Sequence, residues 1–177
     1  MERQVDVFRK AQDLLNKQFS INVRGERVVT SASELGYTFA FDNARARFGC
    51  CKYGKMQITL SKHYVKNNVG KHNDDIIDTI LHEIAHAIAH HAYGYRGHHG
   101  YVWQEVARQI GARPERCGKA GIKIADKKWL LECPNCGRTS ERHRLASNRS
   151  FACGSCCREY NGGKYSEDFV MKIHKKF

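Results

Sequence analysis

Apolar residues recur at helical spacing in three stretches of the chain. In each stretch, residues three or four positions apart are apolar: Val5, Phe8, Ala11, Leu15 and Phe19; Ile76, Ile80, Leu81, Ile84 and Ile88; and Val102, Val106 and Ile110. This spacing places the apolar side chains on one face of a helix. The pattern predicts helices over residues 3–19, 74–91 and 101–110.

Between the first two helices, apolar and polar residues alternate instead. Three runs show the alternation: Tyr37, Phe39 and Phe41; Ala44, Ala46 and Phe48; and Ile58 and Leu60. Alternation with a period of two is typical of strands with one buried face, so we expect an antiparallel sheet of about three strands. Near the end of the chain, Ser166 followed by Glu167 and Asp168 predicts the start of a terminal helix.

These elements predict an α+β fold in two domains, over residues 1–126 and 127–177. The first is long enough to bury its own core, whereas the second is too small to do so without help from a metal. Residues 112–130 are the expected linker between them.

The second helix carries His82, Glu83 and His86 in an H-E-x-x-H pattern. Residues four apart lie one turn above each other, so both imidazoles can face one metal ion with Glu83 beside it as a base. The pattern therefore predicts a catalytic zinc site with Glu83 as the catalytic residue. The alternative is an ordinary helix with surface histidines.

A catalytic zinc site normally takes a third protein ligand, which must come from another segment. His90 is eight residues from His82, a rise of roughly 12 Å along a helix, which is too far for both to bind one ion. The candidates are His98 and His99, in a glycine-flanked turn, and Glu105, nineteen residues after His86.

A second metal site is indicated by Cys133-x2-Cys136 and Cys153-x2-Cys156, with sixteen residues between the pairs. This spacing is typical of a structural zinc site with four thiolate ligands. Cys157 and His143 are alternative ligands. Disulfide pairing is not expected, because the chain has no recognisable export signal, and Cys50, Cys51 and Cys117 are interpreted as ordinary thiols.

Charge is distributed unevenly along the chain, whose formal net charge is +12. Residues 73–126 carry 6 Lys/Arg against 7 Asp/Glu, whereas residues 127–177 carry 11 against 5. In this basic segment, cations and aromatic rings suited to phosphate pairing and base stacking interleave: Arg138, Arg142, Arg144, Arg149, Phe151 and Tyr160. We therefore expect a nucleic-acid partner, with a basic solvated surface as the alternative.

No apolar run is long enough to cross a membrane, so we expect a soluble protein of the cytoplasm, associated with the nucleoid if cellular, and no membrane partner.

The pattern H-E-x-x-H, followed thirteen residues later by His99-Gly100-x-x-Trp103, resembles the SprT/Spartan family of zinc metalloproteases. Residues 44–49, residues 56–61 and the four-cysteine segment resemble this family as well. The resemblance implies a zincin-like catalytic domain followed by a C-terminal zinc ribbon, with His99 as the third ligand of the catalytic zinc and a second, structural zinc.

The resemblance also implies a function in DNA repair: a protease that hydrolyses DNA-bound or DNA-crosslinked proteins, with the ribbon contacting single-stranded or junction-containing DNA. Two alternatives remain, a non-proteolytic zinc-dependent DNA-binding factor and a zinc hydrolase of small amide substrates.

Overall fold

A computed structural model describes residues 2–95, 98–115, 121–147 and 150–177, with side chains from Asp6 onward. The chain forms a mixed α+β structure of two compact units, Met1–Ala125 and Asp126–Phe177. In the described residues, no helix combines the length and apolar character needed to cross a membrane.

The N-terminal unit contains helices and strands in alternation. Its helices are α1 (Glu2–Asn16), α2 (Lys62–Asn68), α3 (Asn73–Tyr93) and α4 (Tyr101–Ile110). Its strands are β1 (Phe19–Val23), β2 (Glu26–Thr30), β3 (Thr38–Asp42), β4 (Gly49–Lys52) and β5 (Gln57–Ser61). A single 3-10 turn, Tyr53–Lys55, connects β4 to β5.

The first helix is shorter than its apolar pattern predicts. It ends at Asn16, and Phe19 instead begins β1, where Phe19, Ile21 and Val23 alternate inward. Strands β1 and β2 then form an antiparallel hairpin. Phe19 fits both the helical spacing of α1 and the alternation of β1, so the prediction that it ends the helix is wrong.

The three-stranded sheet has the order β3-β5-β4 and is mixed rather than antiparallel. Strand β5 pairs in parallel with β3 and antiparallel with β4. The middle strand is the most buried, because it is covered by neighbours on both edges. Alternation identifies the buried face of a strand but not the direction of its partner, so the antiparallel expectation was wrong.

The predicted strand around Ala44, Ala46 and Phe48 is also wrong, since these residues form a loop before β4. The Asp42 carboxylate accepts a hydrogen bond from the backbone N–H of Ala44 at 2.9 Å. Ser61 Oγ donates to the carbonyl of Ala44. These polar groups turn the chain away from the sheet, and such local hydrogen bonds compete with strand pairing.

Helices α3 and α4 pack against each other in the core of this unit. The prediction for α4 is confirmed at Tyr101–Ile110, and α3 extends the predicted helix slightly at both ends. Gly94 and Gly111 adopt positive φ angles just after α3 and α4, as glycine does where helices end. Ile80, Ile84 and Ile88 are fully buried on the inner face of α3.

The expected linker, residues 112–130, instead contributes to both units. Arg113 pairs with Asp78 and Asp75 of α3, through nitrogen–oxygen distances of 2.7–2.8 Å. Further along, the buried side chain of Asn68 donates to the Lys123 carbonyl at 2.6 Å and accepts from its N–H at 3.3 Å. Residues 121–125 are therefore held against α2.

The C-terminal unit is a small antiparallel sheet with one short helix. Its elements are β6 (Trp129–Glu132), β7 (Thr139–Arg142), α5 (Gly154–Tyr160), a 3-10 turn (Glu167–Phe169) and β8 (Lys172–Lys175). The sheet has the order β7-β6-β8. Its small core consists of Leu131, Cys133, Cys153, Cys156 and Met171.

The predicted terminal helix is wrong. Ser166 accepts a hydrogen bond from the Asp168 N–H at 3.3 Å, but this caps only a single 3-10 turn. The following residues pair with β6, with Ile173 opposite Leu131. The backbone N–H and C=O groups of residues 172–175 bond to the free edge of β6, so they cannot form the hydrogen bonds of a helix.

We expect Asn68→Ala to lower the free energy of unfolding of the N-terminal unit by about 1–3 kcal/mol. The substitution removes the buried amide that bonds the Tyr64 carbonyl and both backbone groups of Lys123. Hydrogen exchange should show the largest loss of protection at residues 121–125.

Asn67→Ala is the matched control, since Asn67 is exposed and donates a hydrogen bond to the Ile124 carbonyl. Its effect should be about 0.5 kcal/mol or less. Equal effects of the two substitutions would contradict the role assigned to Asn68.

Candidate metal centre and active site

Three histidine side chains converge in the N-terminal unit. His82 and His86 lie one turn apart on α3, and His99 comes from the turn before α4. The Nε2 atom of His99 is 3.0 Å from that of His82 and 3.3 Å from that of His86. Of the described residues, these three form the histidine cluster able to hold a metal ion.

The side chain of Trp103 packs against all three histidines of this cluster. It is fully buried in the first turn of α4, and its ring centroid lies 4.6, 5.2 and 4.5 Å from those of His82, His86 and His99. The next residue, Gln104, donates a hydrogen bond to the His99 carbonyl at 2.9 Å. The sequence shows Trp103 four residues after His99 but does not reveal that it contacts all three rings.

The spacing of the imidazoles fits a zinc ion. Two nitrogen ligands of tetrahedral zinc, each about 2.0–2.1 Å from the metal, are about 3.4 Å apart. The two separations that involve His99 Nε2, 3.0 and 3.3 Å, are close to this value. The three nitrogen donors are therefore compatible with zinc.

The environment keeps the α3 imidazoles neutral. Burial, followed by the neighbouring His99, lowers the pKa of His82 to about 4, although Asp78 opposes the shift. Burial and the neighbouring histidines lower the pKa of His86 to about 3. A neutral imidazole has the free lone pair that a metal requires, so both residues can bind an ion near neutral pH.

Glu83 lies beside the cluster and is almost completely buried. Burial raises the pKa of its carboxyl group to about 7, against the opposing effects of a hydrogen bond from the Cys51 backbone and the charge of Arg47. A carboxyl group with a pKa near the working pH can both accept and return a proton.

Gly49 allows β4 to approach this carboxylate closely. A Cβ atom at position 49 would lie 3.1 Å from Glu83 Oε1 and 3.0 Å from the Thr59 carbonyl oxygen. A larger residue would therefore push against the glutamate or the sheet. The role of Gly49 depends on this contact between β4 and α3, which are distant in the sequence.

The histidines and Glu83 line a cleft of about 550 Å³. Its other walls come from the loop before β4, from β4 itself, from the 3-10 turn and from residues 98–99 and Ile124. This volume is within the range of about 300–1,000 Å³ typical of ligand pockets. The cleft is large enough to admit part of a substrate beside the metal ligands.

The other two candidates for the third ligand lie outside the cluster. His98 is exposed next to His99. Glu105, on α4, forms an ion pair with Arg108, three residues later on the same helix. The structure thus brings His99, rather than His98 or Glu105, to the α3 histidines.

The four predicted cysteines of the C-terminal unit form a second cluster. Cys133 Sγ lies 3.7 Å from Cys156 Sγ, and Cys136 Sγ lies 3.7 Å from Cys153 Sγ. A disulfide would bring sulfur atoms to about 2.05 Å, whereas thiolates on tetrahedral zinc are about 3.8 Å apart. The cluster is therefore compatible with zinc and contains no disulfide.

Local backbone geometry favours the thiolate form of Cys153, whereas Cys156 is shifted the other way. Hydrogen bonds from the backbone N–H groups of Cys156 and Ser155 lower the pKa of Cys153 to about 6. Although the Asn135 amide lowers the pKa of Cys156, partial desolvation and the three neighbouring thiols raise it to about 12. Four thiolates at this distance repel one another unless a cation neutralises them.

The alternative ligands of this second site, Cys157 and His143, are not part of the cluster. Cys50 and Cys51 are free thiols on β4, next to the first cluster. Burial raises the pKa of Cys51 to about 12, which makes it a poor nucleophile at neutral pH. Cys117 lies outside the described residues.

The candidate nucleic-acid residues are spread over the C-terminal unit. Arg142, Arg144 and Tyr160 are exposed, as is Arg138, which donates to Ser155 Oγ at 2.5 Å. Phe151 is partly buried and packs against the cysteine core. Arg149 lies outside the described residues.

Comparison with known proteins identifies relatives of the N-terminal unit. The model of the SprT-like family matches residues 7–125. Protein SprT of Pseudomonas aeruginosa (strain UCBPP-PA14) is 38% identical over 88 residues, which cover 44% of this chain and 53% of the relative. Protein SprT of Pseudomonas fluorescens (strain Pf-5) is 33% identical over 92 residues, which cover 47% and 56%.

The chain thus spans about half the length of the curated relatives it matches. No solved structure matches it. The family match extends from α1 to the end of the N-terminal unit and includes all three clustered histidines and Glu83. The chain belongs to the SprT-like family.

Proposed function

We propose that this protein is a zinc metalloendopeptidase that acts on DNA-bound or DNA-crosslinked proteins. The observation that carries the proposal is the convergence of three imidazole Nε2 atoms next to a buried glutamate. Membership of the SprT-like family suggests the same kind of zinc-dependent protease.

His82, His86 and His99 would hold the catalytic zinc, and a zinc ion there would supply Lewis acidity to a water molecule and to the scissile carbonyl. Glu83 takes one proton from the water while the water oxygen bonds to the carbonyl carbon. The C–N bond then breaks, and Glu83 returns the proton to the leaving amine. One water is consumed, and the carboxylate is regenerated.

In the same proposal, the C-terminal unit is a zinc ribbon that binds DNA. Four thiolates with no position left for a water molecule are typical of structural zinc. The 11 Lys/Arg and 5 Asp/Glu of residues 127–177 favour a polyanionic partner. Exposed cations such as Arg142 and Arg144 would pair with phosphates, and the exposed ring of Tyr160 would stack on a base.

The function is tested with zinc-loaded full-length protein and a DNA-bound protein substrate, with and without single-stranded DNA. Wild-type protein should cleave the substrate, and DNA should increase the rate. Glu83→Gln should retain its zinc but lose about a hundredfold or more of the rate, because it lacks the general base. Cleavage on gels and metal analysis give the two measurements.

The outcomes separate the alternatives. Salt-dependent DNA binding without cleavage would favour a non-proteolytic DNA-binding factor, and cleavage of small amides without DNA binding would favour a small-substrate hydrolase. A Glu83→Gln variant as fast as the wild type would remove Glu83 from the mechanism.

Metal content tests the ligand set independently of activity. His99→Ala should lower the zinc content by about one ion per chain, because a two-histidine site binds zinc poorly. His98→Ala and Glu105→Ala are matched controls from the same segment and should retain the zinc. Loss of zinc in the Glu105→Ala variant alone would assign the site to a different class of zinc enzyme.

Cys133→Ser tests the second site. Removal of one thiolate should unfold residues 131–160, because the small unit depends on metal for its stability, and should leave the N-terminal unit folded. Hydrogen exchange on the full chain can follow both units at once. Cys157→Ser is the matched control, and unchanged protection of residues 131–160 in Cys133→Ser would disprove a structural metal there.

A further inference from the structure

The proposed reaction places negative charge on the oxygen of the scissile carbonyl, and such charge is normally stabilised by a fixed hydrogen-bond donor. Several phenols lie near the cleft, but most have other roles. The Tyr93 hydroxyl donates to the Ile21 carbonyl at 3.1 Å. The Tyr95 hydroxyl is packed so closely on Gly100 that a Cβ there would lie 2.1 Å from it. Tyr101 is exposed and does not line the cleft.

Tyr53 differs from these residues in its position. It follows β4 directly, in the first position of the 3-10 turn, and it lines the same cleft as Glu83 and His86. Its ring lies against that of His90, with ring centroids 4.4 Å apart. His90 is one turn beyond His86 on α3, so this contact places the Tyr53 ring within about one helical turn of the nearest candidate metal ligand.

The Tyr53 side chain is only partly buried and forms part of the cleft wall. In the part of the chain that the structure describes, its hydroxyl makes no hydrogen bond. Burial, followed by the nearby Cys51 and Glu83, raises the pKa of this phenol to about 12. The group therefore keeps its proton near neutral pH and can act as a donor.

We propose that Tyr53 is a second catalytic residue, which donates a hydrogen bond to the scissile carbonyl oxygen as that oxygen becomes negatively charged. This inference rests on the proposed protease function. The Tyr53 O–H bond stays intact: the π electrons of the carbonyl move to the oxygen during attack and return when the C–N bond breaks. Tyr53 therefore ends each cycle unchanged, while Glu83 carries the proton from water to the amine.

The test compares Tyr53→Phe with Tyr101→Phe, a matched loss of a hydroxyl outside the cleft, in zinc-loaded full-length protein. Tyr53→Phe keeps the ring on His90, so zinc content and hydrogen-exchange protection of α3 should be unchanged. With labelled casein and single-stranded DNA, kcat should fall by about 10²–10³-fold, as expected for loss of one oxyanion donor. KM should change less than about twofold, because the contact forms in the transition state.

A second readout does not depend on turnover. A phosphinic peptide carries a tetrahedral anion that imitates the charged oxygen, so calorimetry should show at least about tenfold weaker binding to Tyr53→Phe than to wild type. Tyr101→Phe should bind it as the wild type does. A fluorinated tyrosine at position 53 has a more acidic phenol than tyrosine. Such variants should retain activity, and their kcat should change with the acidity of the phenol.

Equal kcat and equal phosphinic-peptide affinity in wild type and Tyr53→Phe would overturn the role of Tyr53, as would a change confined to KM or a loss of zinc. A wild-type protein that neither cleaves casein nor binds the phosphinic peptide would instead overturn the protease proposal itself. The two failures are therefore distinguishable.

Discussion

The packing of α4 against α3 through Trp103 is the interaction on which the candidate active site depends. Two of the clustered histidines, His82 and His86, belong to α3. The third, His99, joins them only because α4 packs back against α3. The buried indole contacts all three imidazoles and thereby sets their distance from one another. The Arg113 pairs with Asp75 and Asp78 hold the far end of α4 to the same helix.

The same packing determines the electrostatics of the cleft. Burial keeps His82 and His86 neutral, and it raises the pKa of Glu83 to about 7. An exposed glutamate on the same helix would remain fully ionised near neutral pH and would be a weaker base. The approach of β4, made possible by Gly49, removes the solvent that would otherwise surround the carboxylate.

The two units reach stability by different means. The N-terminal unit buries an extended apolar core that includes fully buried residues such as Ile84 and Trp103. In the C-terminal unit, three of the five core residues are cysteines. So small a core does not offset the loss of chain entropy by itself, and the four clustered cysteines could hold a metal ion that would contribute the remaining stability. Loss of a cysteine ligand would then have a structural consequence, whereas loss of a histidine ligand in the N-terminal unit would have a chemical one.

Local chemistry allowed much of this protein to be predicted from the sequence alone. The limits of α4, the position of α3 and the spacing within each pair of candidate metal ligands follow from residues within one helix or one short turn. Periodicity could not show that β3 and β5 are parallel, or that residues 172–175 complete a sheet, because a pairing partner is chosen by the whole fold. Spacing alone also left His98, His99 and Glu105 open as candidates, and only the family resemblance favoured His99.

The tertiary structure decided which of these three residues joins the α3 histidines, because only the return of α4 brings His99 Nε2 within 3.3 Å of them. It also placed Gly49, Tyr53 and Trp103 around the site. Trp103 and Gly49 lie in segments that resemble the SprT family, but the resemblance does not show what they touch. Their contacts, like that of Tyr53, join segments that are distant in the sequence.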